Sequence, residues 1–73
     1  LSRHPATTQL LWWFEYDHLP PSSQEFSKPI HDLAHQMTNA LQDGPELSAG
    51  LRKLLEAKDC FVRQSIADAR EKE

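Results

Sequence analysis

Four cations fall within one run of thirteen residues, LRKLLEAKDCFVR, which carries Arg52, Lys53, Lys58 and Arg63. Arginine grips phosphate with two parallel hydrogen bonds and stacks on flat bases, whereas lysine acts as a point charge. At helical spacing Arg52, Glu56, Asp59 and Arg63 share a face, so the two acids can pair with the two arginines and leave a salt-bridged surface. For Arg52 and Lys53 that solvated surface is the simpler reading. Lys58 lies away from these acids at the edge of an apolar stripe, and its ammonium must reach solvent, an acid or an anion. A surface role and a ligand role both stand for it. The other feature able to do chemistry is the stretch QLLWWFEYDHLPP, which packs two Trp, a Phe and a Tyr into five positions before two prolines. Trp12 and Trp13 bring a large apolar payload to a poor core and read as packing residues. Tyr16 stands at the exit of this segment with a polar tip, where its ring can stack on a base.

Catalysis has thin support, and no enzymatic activity is expected. Cys60 has no local signature and reads as a small core hydrophobe. Ser22 and Ser23 sit in no G-x-S-x-G context, and there is no glycine-rich phosphate loop. Acid pairs such as Glu25 with Asp32, or Glu56 with Asp59, read as solvated helix faces. A single Cys excludes an internal disulfide and a cysteine-rich zinc site. His4, His18, His31 and His35 are spread over three segments, and only His31 and His35 stand four apart. That pair lacks the Glu beside the first His of a metalloprotease helix, so neither metal nor cofactor is expected.

The elements that must position these residues are helices. Two proline-containing breaks, HLPPSSQ and DGPE, divide the chain, and no alternating β-branched run occurs. The first helix is expected over 5–17, with Pro5 in its first turn. Its apolar residues Leu10, Leu11, Trp12, Trp13, Phe14 and Tyr16 cover nearly the whole circumference, which implies a second partner surface. The second helix is expected over 22–42, starting from a Ser22/Glu25 capping box or, in a later alternative, from Ser27. Pro29 then makes a kink or lies in a first turn. Phe26, Ile30, Leu33, Met37 and Leu41 mark its apolar stripe. Gly44 is available for a left-handed turn, and Pro45 opens a third helix over 45–69. The stripe of that helix is Leu47, Leu51, Leu54, Leu55, Phe61, Val62, Ile66 and Ala69. The fold class is all-α: an antiparallel helical hairpin preceded by a short aromatic helix, with the two leucine-rich stripes facing each other.

Seventy-three residues make one domain at most, 1–73, and bury so little apolar surface that disulfides, metal or oligomerisation are the usual supplements. Oligomerisation is the supplement that remains, with Trp12, Trp13 and Phe14 as interface residues. A net charge of −3 argues against a DNA or RNA polymer as partner but allows a small anion at a local cationic cluster. No apolar run approaches a membrane span, and the basic-then-apolar order of a signal peptide is absent. A reducing compartment fits this composition. The chain begins without Met, which fits loss of a short leader.

Segment three, GPELSAGLRKLLEAKDCFVRQSI, resembles the second hairpin helix of phage cyclic-nucleotide sponges, the anti-CBASS proteins and the related anti-Thoeris proteins. Their pattern is a turn, an acidic residue, then Leu-x-x-Leu-x-x-Ala with an aromatic and a terminal Ile. Glu46, Leu51, Leu54, Glu56, Ala57, Phe61 and Ile66 match it without a gap. The run LRKLLEAKD is also similar to small proteins of actinobacterial phages. Upstream, Tyr16 and Leu19 reproduce the family's Tyr and its Leu three residues later, and the likeness covers roughly Phe14 to Ile66. The resemblance implies a phage immune-evasion protein that sequesters cyclic di- or trinucleotide signals in the infected host cytoplasm without cleaving them. It implies homo-oligomers, hexamers in the anti-CBASS case, with ligands between subunits. It assigns base stacking to Tyr16 and a cationic contact to the position of His31, with Lys28 the nearest lysine. Read together with the cations of the third segment, the expected cationic contacts are Lys28, His31, Arg52, Lys58 or Arg63. The chain departs from the pattern where His31 replaces the family's Lys, where Gly44 and Pro45 replace Ser-Arg, and where Arg52 replaces Thr. The rival reading is a small helical phage protein that inhibits or scaffolds a host protein through its apolar first helix.

Overall fold

The computed structural model describes residues 3–71, and among them are three helices and no strand. Helix α1 spans Pro5–Trp12, α2 spans Pro21–Ala40 and α3 spans Pro45–Glu71. A proline opens each of them, where the missing N–H would have had no intrahelical partner. His4 caps α1, its Nδ1 accepting the Ala6 N–H at 3.1 Å. Glu46 sits in the first turn of α3 and Arg70 in its last, both with the sign that suits the helix dipole.

Helix α1 stops five residues short of the expected 5–17. Trp13, Phe14 and Glu15 each donate to the carbonyl three residues back, the tightening that ends a helix. Helix α2 starts at Pro21 with Pro20 as N-cap and no side-chain cap, so neither the Ser22/Glu25 box nor a Ser27 cap forms. Instead Ser27 is wholly buried inside the helix, its hydroxyl without a hydrogen-bond partner. Pro29 lies within α2, as the earlier of the two starts requires, and deprives the Glu25 carbonyl of its usual donor. The end of α2 uses no left-handed glycine: Leu41 is extended (φ −115°, ψ 154°), and no described glycine has positive φ.

Ser23 near the start of α2 meets Ser65 late in α3, their hydroxyls 3.2 Å apart. At the other end Met37 and Leu41 share a trough of about 370 Å³ with Leu47 and Leu51. The side of α2 that is buried corrects the expected stripe. Ser23, Ser27, Ala34 and Thr38 are buried, whereas Phe26, Leu33 and Leu41 are 45, 41 and 51 % exposed. The reason is α1. Leu10 and Phe14 join Ala34, Leu47 and Leu51 in one cluster, and small α2 side chains leave the volume these bulky groups fill. Thr38 satisfies its hydroxyl on the Ala34 carbonyl at 2.8 Å. In α3 the stripe is buried at Leu47 and Leu51 but emerges at Phe61 and Ile66, which are 55 and 44 % exposed.

The start of α1 is tied to the α2–α3 connection. Asp43 accepts from Arg3 Nη1 and from the His4 backbone N–H, each at 2.8 Å, and Arg3 also donates to the Thr38 carbonyl. These bonds hold the Asp43 carboxyl below the usual carboxylate range, the His4 N–H being the larger cause and Arg3 the next.

Candidate functional site

Two clusters of chemistry-bearing residues form. The first lies where the connection after α1 passes over α2. A turn closed by Leu19 N–H on the Tyr16 carbonyl at 3.0 Å sets Tyr16 in place. Gln24 of α2 holds the same connection by donating to the Leu19 carbonyl at 2.8 Å. The Tyr16 ring meets His31 edge-on, with centroids 5.1 Å apart and planes at 73°. One turn further along α2, the His35 ring lies 4.4 Å from that of His31. Asp32 completes the cluster, accepting from Lys28 Nζ at 3.1 Å and lying 3.0 Å from His31 Nδ1.

The electrostatics follow from that carboxylate. Hydrogen bonds from His31 first, and Lys28 next, hold Asp32 below the ordinary carboxylate range. Its hydrogen bond and charge hold the Lys28 ammonium above the ordinary lysine value. Lys28 is therefore a firm cation, and an incoming anion must compete with Asp32 for it. Three residues singled out in the sequence, Tyr16, Lys28 and His31, thus share one patch. Asp32 and His35 were not assigned to it, although the i,i+4 spacing of Lys28 with Asp32 and of His31 with His35 was the available signal.

The second cluster is a cleft of about 400 Å³ between the end of α1 and α3, lined in part by Trp12, Trp13, His18, Leu19, Lys58 and Arg63. Lys58 is only 6 % exposed. Of the three destinations open to its ammonium it takes none: Nζ donates to the Trp13 carbonyl at 2.6 Å and reaches the Glu15 carbonyl at 3.5 Å. A cation there satisfies the carbonyl end of α1. Burial pushes the Lys58 ammonium below the ordinary lysine value, partly opposed by Asp59.

The remaining assignments separate. Arg63 donates to Cys60 Sγ at 3.5 Å, and Cys60 itself is exposed rather than a core hydrophobe. The expected pairing of Arg52 and Arg63 with Glu56 and Asp59 is absent from the ion pairs among the described residues. Arg52 lies exposed on α3 and lines neither cluster. Phe14, expected at a subunit interface, is fully buried within the chain, because the turn after α1 points its ring into the core. Trp12 and Trp13, read as packing residues, are 60 and 65 % exposed, so this chain's own core does not cover them. Among the described residues no group of three or more His, Cys, Asp or Glu is placed to hold a metal ion, and no helix is long and apolar enough to cross a membrane. Comparison with protein-family models, curated proteins and solved structures finds no match to this chain.

Proposed function

We propose that this chain is a phage anti-defence sponge, a non-enzymatic protein that binds cyclic oligonucleotide immune signals and releases them intact. The observation that carries the reading is the meeting of Tyr16, Lys28 and His31, drawn from two segments, in one patch. An aromatic ring beside a cation and an imidazole is the chemistry that a base linked to a phosphate requires. The Tyr16 ring stacks on a base and Lys28 reaches the adjoining phosphate, with the His31 ring packed beside Tyr16. Lys58 contributes by fixing the backbone from Trp13 to Glu15, directly before the stacking residue. The antiparallel hairpin of α2 and α3 is the unit of a homo-oligomer acting in the infected host cytoplasm, with Trp12 and Trp13 at the subunit interface.

A calorimetric panel of cyclic di- and trinucleotides against the purified protein tests this. Saturable binding of at least one, with the ligand recovered unaltered after heating the complex, is expected. A second reading rests on the exposure of Trp12 and Trp13, which suits a host-protein partner docking on the end of α1. Under that reading no cyclic nucleotide binds, and Trp12→Ala abolishes capture of the partner.

A further inference from the structure

We propose that His31 and His35 form a two-point clamp for a divalent transition-metal ion of the copper(II) or nickel(II) class. The inference does not rest on nucleotide binding. Its first support is spacing: residues four apart stand one above the other on a helix, and α2 is continuous from Pro21 to Ala40 around both histidines. Its second is the tautomer. The Asp32 carboxylate 3.0 Å from His31 Nδ1 is an acceptor only, so Nδ1 carries the hydrogen, and in the neutral imidazole Nε2 presents a lone pair. A carboxylate holding the far nitrogen is the support that metal-binding histidines receive. The Tyr16 ring against His31 further restricts the imidazole's rotation.

The third support is the separation of the rings. An imidazole bound through nitrogen at about 2.1 Å holds its centroid about 3.2 Å from the ion. Two such rings with centroids 4.4 Å apart would subtend an angle of about 90° at an ion that both Nε2 atoms faced. That is the cis angle of square-planar and octahedral coordination rather than the wider tetrahedral one, and it favours copper(II) and nickel(II) over zinc. With no third protein ligand grouped there among the described residues, water fills the other positions.

Titration of the untagged chain with Ni²⁺ by calorimetry tests the clamp, in a Cys60→Ser background so that the exposed thiol does not compete. One saturable ion per chain is expected. His35→Gln should weaken binding by about tenfold or more, whereas His4→Gln and His18→Gln should leave it unchanged. Ni²⁺ should also raise the melting temperature of the parent and not of His35→Gln, because only the folded helix holds the two rings together. Absence of saturable binding, undiminished binding by His35→Gln, or loss of binding in His4→Gln or His18→Gln overturns the assignment.

Discussion

Phe14 and Lys58 show what a single side chain does in so small a protein. Phe14 is the largest fully buried side chain described, so Phe14→Ala should cost about 3–5 kcal/mol in urea unfolding. That is a large share of the stability a chain of this size has. Lys58→Met keeps the packed stem and removes the ammonium from the Trp13 and Glu15 carbonyls. The loss should be about 2 kcal/mol, and amide hydrogen exchange should show fraying of α1 rather than of α3. Lys58 also marks the limit of reading from sequence. Its place at the edge of a stripe was legible, but the backbone carbonyls it serves belong to a turn 45 residues away. Phe14 was misplaced for a related reason: helical periodicity was carried past Trp12, and the turn there rotates every later side chain. Tyr16, expected at the exit of the first helix, stands instead four residues beyond its end, in the turn closed by Leu19.

At the scale of the elements, the start that proline sets for α3 was legible, whereas α2 opens at Pro21 rather than at the expected Ser22 or Ser27. Pro45 was placed at the start of α3, and Pro29 was allowed inside α2. The buried side of α2 was misread because hydrophobic periodicity selects large residues, whereas the side that this chain buries carries small ones, Ser23, Ser27, Ala34 and Thr38. Gly44 follows the same logic. Its φ is not positive and open space surrounds the site of a Cβ, so Gly44→Ala should fit without strain. The gain in chain entropy is offset by the loss of Gly as N-cap of α3, and stability should change by less than about 1 kcal/mol. Asp43 beside it gives the connection a pH dependence. Its folded carboxyl titrates below its unfolded value, so the stabilisation is present above about pH 4 and is lost as pH falls through the folded value. Asp43→Asn should flatten the fall in stability over that range without abolishing it, because Asp32 is depressed in the same direction.

The whole molecule is a rod of 48 × 19 × 17 Å with a radius of gyration of 13.6 Å. A compact chain of this length would have a radius near 11 Å. A rod has little interior, and among the described residues seven large apolar side chains are exposed along it, Trp12 and Trp13 most of all. The assembly proposed above would cover them. Light scattering should therefore find a particle larger than one chain, and the melting temperature should rise with protein concentration. Trp12→Ala or Trp13→Ala should shift the population toward smaller species. A particle of one chain at micromolar concentration, with an unchanging melting temperature, would contradict the assembly.

The central claim, stacking of a cyclic-nucleotide base on Tyr16, is tested most directly by calorimetry on three proteins: the parent, Tyr16→Phe and Tyr16→Ala. The parent should bind at least one cyclic di- or trinucleotide. Tyr16→Phe should keep most of that affinity, because the π-face does the stacking. Tyr16→Ala should lose about 1–3 kcal/mol while the helical spectrum and the particle size persist. Equal affinity in all three proteins would remove Tyr16 from the site, and no binding by the parent tighter than about 100 µM, roughly −5.5 kcal/mol, would contradict the account.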